Sequence, residues 1–144
     1  MTLTRFSPVL AIVLVATGSA DRAEAVQFKG TTVTFRVEAA AVRGFTLTAN
    51  ALCLVAGRRG YEIKVIPLET PARLDGDGRF ALALDQKGTR VSVTGRVAGA
   101  TAEGSFEVYY TKSVSSYDAI TRSQKFEIAS CSAKAPWTAA RQAS

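Results

Sequence analysis

From Val26 onward, polar and apolar residues alternate with a period of two, and Gly, Asp or Pro breaks the alternation every eight to twelve residues or so. Side chains on a strand point alternately to opposite faces, so this pattern describes antiparallel strands with one face buried and one in water. Strands are expected near 27–37, 44–54, 61–67, 79–84, 89–97, 102–110 and 124–131, with a short closing piece around Trp137. Seven or eight such strands in a small domain give an all-β fold, an antiparallel sandwich or, alternatively, a small barrel. Alanine-rich 38–42 is expected to be a connection, and no segment after residue 25 has helical periodicity.

The sharpest register expectation concerns 89–97 and 102–110, joined by the four-residue turn Ala98-Gly99-Ala100-Thr101. If that turn sets the pairing, the numbers of facing residues sum to 199. Val97 then faces Ala102, Val93 faces Phe106 and Val91 faces Val108 on the core side. Arg96 faces Glu103 and Arg90 faces Tyr109 on the solvent side, and both are complementary pairs. The same register sets Gly95 opposite Gly104 and leaves a gap in the apolar layer. Trp137 is the expected plug; the alternative is a small ligand pocket.

Residues 1–25 set the compartment. A basic lead at Arg5, an apolar run from Pro8 to Ala16 and the small-residue exit Ala23-Glu24-Ala25 have the layout of a secretory signal peptide. The uncharged run from Phe6 to Ala20 is shorter than the roughly 20 residues that span a bilayer, which argues against a membrane anchor. The expected domains are therefore a signal peptide at 1–25 and one β-domain at 26–144, in a secreted protein, extracellular or periplasmic. In that oxidising setting the two cysteines, Cys53 and Cys131, are disulfide candidates closing a loop of about 79 residues.

Composition removes several chemistries. The chain has no histidine, so Ser-His-Asp and Cys-His nucleophiles and His-ligated zinc are excluded, together with the commonest base near neutral pH. Glu103 and Glu107 project to one outer strand face, where solvated carboxylates are expected. Asp75-Gly76-Asp77-Gly78 resembles the opening of a calcium loop, but Gln86 stands where a bidentate glutamate would close it. Asp75 and Asp77 are weak metal candidates, and a hairpin turn is the expected role of the segment. No metal or cofactor is expected.

The formal charge is +6 and is spread along the chain, with Arg58-Arg59 the only adjacent basic pair. That distribution lacks the basic run of a nucleic-acid binder but suits anionic polymers, polysaccharides or acidic proteins as partners. Arg58 and Arg59 occupy an expected turn tip. Lys112 to Gln124 is the longest expected loop, with Tyr117, Asp118 and Arg122 near its tip as candidate contact residues.

Several segments in order also resemble a group of small secreted bacterial β-sandwich domains. They are Ala51-Leu52-Cys53, Gly78-Arg79-Phe80, Val91-Ser92-Val93-Thr94-Gly95-Arg96-Val97, Ala102-Glu103-Gly104-Ser105-Phe106, and Cys131 with Trp137-Thr138-Ala139. The likeness spans most of the chain after residue 25 and departs after Cys131, where Ser132-Ala133-Lys134 stands in place of a glycine. The resemblance implies a secreted sandwich with structural Cys53, Cys131 and Trp137, and no particular activity. The expected function is a non-catalytic binding module acting through outer strand faces and the 112–124 loop. The alternatives are an assembly component pairing through a sheet edge, and an enzyme using carboxylates or a metal.

Overall fold

The computed structural model describes residues 24–143 and is all-β. The proposed signal peptide, up to residue 23, lies outside the described residues. Among the described residues nine strands form one antiparallel sheet: β1 (Val26–Lys29), β2 (Val33–Glu38), β3 (Ala41–Val55), β4 (Arg58–Leu68), β5 (Ala72–Arg73), β6 (Arg79–Gln86), β7 (Thr89–Ala98), β8 (Thr101–Asp118) and β9 (Ser123–Arg141). The order β4-β3-β2-β1-β9-β8-β7-β6 amounts to two meanders, β1–β4 and β6–β9, joined where β1 meets β9. At the other pole β3 pairs directly with β9 through Leu52–Ser132, Cys53–Cys131 and Leu54–Ser130. The sheet curls so that its inner faces share one core.

Tight turns set the registers. Ala39-Ala40, Ala56-Gly57 and Lys87-Gly88 each have positive φ at both positions, the geometry whose twist matches a two-residue hairpin. Pairing of β7 with β8 follows the sum of 199 through all ten pairs, including Gly95–Gly104, Arg96–Glu103 and Arg90–Tyr109. In β3 a one-residue irregularity opposite Thr34 and Arg36 falls at Gly44, whose φ is +60°. This bulge resets the alternation so that Val42 and Phe45, three residues apart, both point inward.

Three strand expectations need correction. The segment 27–37 is two strands, because the chain reverses at Gly30-Thr31-Thr32 and Val26–Lys29 folds back onto β2. The 112–124 segment is not a loop: β8 and β9 continue as an unbroken ladder to Asp118–Ser123, leaving only 119–122 as a turn. The piece around Trp137 is the second half of β9, not a separate strand. The two-residue β5, paired with β3, carries too short a pattern to read.

Phe28, Phe35, Phe45, Phe80 and Trp137 form the centre of the core, with ring centroids 5.1–6.2 Å apart. Trp137 faces Gly104 across the β8–β9 ladder. A Cβ on Gly95 would stand 2.4 Å from Trp137 Cζ2, and one on Gly104 2.7 Å from the same atom. The indole thus occupies the core side of the glycine gap. Only an open hollow of about 490 Å³ remains over these residues.

Candidate functional site

No polar or charged residue is fully buried among the described residues, so chemistry has to be sought in clefts. The most densely functionalised one lies at the pole where β3 pairs with β9. It has a volume of about 450 Å³ and runs between the first residues of β4 and the near wall of the β8–β9 arm. A larger hollow, about 680 Å³, at the opposite pole is lined mainly by Thr, Ala and Gly, with one Lys and one Glu.

Glu62 organises the cleft. Residues 62, 64, 66 and 68 of β4 face the concave side, and the curl of the sheet brings Glu62 to β8, although β3, β2, β1 and β9 separate those strands in the order. Tyr110 Oη donates to Glu62 Oε1, and Lys112 Nζ donates to Glu62 Oε2 in an ion pair. Lys64 Nζ lies 5.1 Å from the centre of the Tyr110 ring, a cation over a π face. Beneath this layer Cys53 and Cys131 form a disulfide between directly facing residues, with Cα atoms 4.0 Å apart. Tyr110 Oη is 4.0 Å from Cys53 Sγ, and Glu62 Oε1 is 4.0 Å from Cys131 Sγ.

The electrostatics follow from those contacts. The hydrogen bond from Lys112, then that from Tyr110, holds the Glu62 carboxyl below its ordinary value of 4.5. Burial, with the adjacent Glu62 carboxylate second, pushes the Tyr110 phenol well above its ordinary value of 10.0. Both groups are thereby moved away from neutrality, Glu62 held ionised and Tyr110 protonated. Cys53, Cys131 and Glu62 bring three potential ligand atoms within 4.8 Å, but two of them are bonded to each other in the disulfide. Glu62 alone does not make a metal site.

The residues singled out from sequence fall in three places. Arg58 and Arg59 open β4 directly after the Ala56-Gly57 turn and line the cleft with Tyr61 and Lys112. Neither arginine forms an ion pair among the described residues. Tyr117, Asp118 and Arg122 sit instead at the far end of the arm. Asp118 Oδ1 accepts the Ile120 and Thr121 N–H groups, which caps the turn and lowers its carboxyl below the usual value. Arg122 sits in that turn with φ +52°. Asp75 and Asp77 are in a turn before β6, which is not the hairpin expected: β5 pairs with β3, not with β6. Asp75 Oδ1 accepts the Asp77 and Arg79 N–H groups at 2.8 and 2.9 Å, so the carboxylate is a turn cap.

Sequence reasoning missed Glu62, Lys64, Tyr110 and Lys112. Glu62 lies 48 and 50 residues from its two partners, and no local spacing signals such a meeting. A clue was the inward phase of β4, which puts a glutamate and a lysine where the alternation demands apolar residues. No family model, curated protein or solved structure matches this chain. No helix among the described residues is long and apolar enough to cross a membrane.

Proposed function

We propose that the chain is a secreted, non-catalytic binding module that takes acidic polymers, such as uronic-acid polysaccharides, into the cleft at the β3–β9 pole. The observation that carries this reading is the pairing pattern inside the cleft. Glu62 is already matched by Lys112 and Tyr110, while Arg58, in phase with Glu62, and Arg59, in phase with the exposed Tyr61, border the cleft and form no ion pair among the described residues. A guanidinium group meets a carboxylate bidentately, and an exposed tyrosine at the rim offers a face to a sugar ring. An excess of six positive charges favours the encounter with an anionic chain.

A catalytic reading has less support. A general acid or base works best with a pKa near the operating pH, whereas Glu62 and Tyr110 are displaced to either side of it. Secretion, read from the N-terminal pattern, agrees with the disulfide.

The test is binding of the oxidised protein to polygalacturonate by calorimetry at low and at raised salt. Binding should weaken steeply as salt screens the exposed arginines. The double reversal Arg58→Glu with Arg59→Glu should abolish it while leaving the melting temperature unchanged. Absence of binding at low salt, or binding indifferent to salt and to the reversal, would sink the proposal.

A further inference from the structure

The strand order has two ends, β4 and β6, and they are finished differently. Proteins normally blunt sheet edges with short strands, bulges, prolines or charges, because an open edge templates pairing with another chain. Edge strand β6 is eight residues long and shows solvent Arg79, Ala81, Ala83 and Asp85. Edge strand β4 is eleven residues long and pairs with β3 without a register break from Val55–Arg58 to Phe45–Leu68. Its outward face carries Tyr61 and Ile63, each 73% exposed, and Val65, 57% exposed. Pro67, within the ladder opposite Thr46, fits a strand with one side unpaired.

The sequence of β4 is complementary to itself. Two antiparallel copies related by a two-fold axis keep like faces together only if the axis passes through a facing residue pair. An axis at position 62 would set Glu62 against Glu62, and one at 64 would set Lys64 against Lys64. An axis at 61 would put Arg58 opposite Lys64. An axis at Ile63, the midpoint of Arg58–Leu68, aligns all eleven residues of each copy, with Pro67 opposite Arg59 the one position that has no N–H to donate to the joint. It places Glu62 opposite Lys64 twice, Tyr61 opposite Val65 twice, and Ile63 opposite Ile63. Opposite charges and apolar pairs at facing positions each favour a ladder, and like charges oppose it.

We propose that the protein self-associates as a two-fold dimer in which β4 pairs antiparallel with β4 of a second copy, centred on Ile63. One continuous sheet then runs through both copies, and the exposed Tyr61, Ile63 and Val65 form a single apolar row across the joint. The inference stands on edge geometry and register, independently of polymer binding in the cleft.

Both native cysteines are in the disulfide, so a single introduced cysteine reports the joint. Facing Cβ atoms of an antiparallel pair are about 4.5 to 5.5 Å apart. Ile63→Cys should therefore give a covalent dimer under mild oxidation, whereas Val65→Cys, which faces Tyr61 of the other copy, should not. Light scattering should find wild type at dimer mass and Ile63→Lys at monomer mass, still folded by circular dichroism because a side chain this exposed takes no part in the core, and melting lower than wild type by the loss of association. A monomeric wild type at every accessible concentration would overturn the proposal. So would equal cross-linking through Val65→Cys, or a dimer indifferent to Ile63→Lys. The reversal of Arg58 and Arg59, which leaves the central pairs untouched, separates this result from that of the polymer test.

Discussion

At the scale of single residues, two glycines matter because a ring occupies the space their side chains would need. Gly95 lies between Trp137 Cζ2 at 2.4 Å and two Phe80 ring atoms at 2.7 and 2.8 Å, measured from an ideal Cβ. Both rings belong to the packed core, with Trp137 2% and Phe80 5% exposed, so neither can swing into solvent. Gly95→Ala should therefore overpack the core and cost about 1 to 3 kcal/mol. Gly60→Ala provides the control, since nothing lies within 4 Å of a Cβ there and its φ is not positive. That change should stay within about 0.5 kcal/mol of wild type. Urea denaturation of the two variants checks the contrast, and equal stabilities would mean that Trp137 does not fill the gap. The glycine pair and its plug were legible in the sequence because a tight turn fixed the register, and the register determined which residues face each other.

At the scale of strands, Glu62 ties β4 to β8 across the concave face, so the joint should respond to pH. The Glu62 carboxyl titrates below its ordinary 4.5 in the folded protein, with the Lys112 hydrogen bond the larger cause and that of Tyr110 the second. Its contribution to stability is therefore complete above about pH 4.5 and is lost as the pH falls through the depressed folded value. Stability curves of wild type and Glu62→Gln should converge over that acidic window, and parallel curves would show that the tie carries no stability. The effect should be modest, because the Glu62 and Lys112 side chains are 30% and 41% exposed and water screens them. Tyr110→Phe keeps the ring under Lys64 and removes only the hydroxyl, which donates to an ionised carboxylate, a loss of about 1.5 to 3 kcal/mol. Strand existence was largely legible from alternation, whereas this joint was not. Alternation reports which face a residue takes but not which distant strand the curl of the sheet brings opposite it. The arm was misread for a related reason. The segment Lys112-Ser113-Val114-Ser115-Ser116 is polar enough to resemble a loop, and it is held as strand by its ladder with residues 125–129, not by burial.

At the scale of the molecule, the disulfide bridges the two meanders. Hairpins β3–β4, β6–β7, β7–β8 and β8–β9 are local in sequence, whereas β1–β9 and β3–β9 join opposite ends of the chain. Loop closure makes such long-range pairing entropically costly, and Cys53–Cys131, separated by 78 residues, removes much of that cost from the unfolded state. The double variant Cys53→Ala with Cys131→Ala should thus lose about 2 to 5 kcal/mol. For a domain whose total stability is typically about 5 to 15 kcal/mol, that is a large share. The urea slope should also rise, because an unfolded chain without the cross-link exposes more surface. If the midpoint fell while the slope stayed constant, the loss would lie in native packing around Tyr110 and Glu62 and not in chain entropy. A midpoint unchanged from wild type would mean that the β1–β9 and β3–β9 ladders hold the two meanders together unaided.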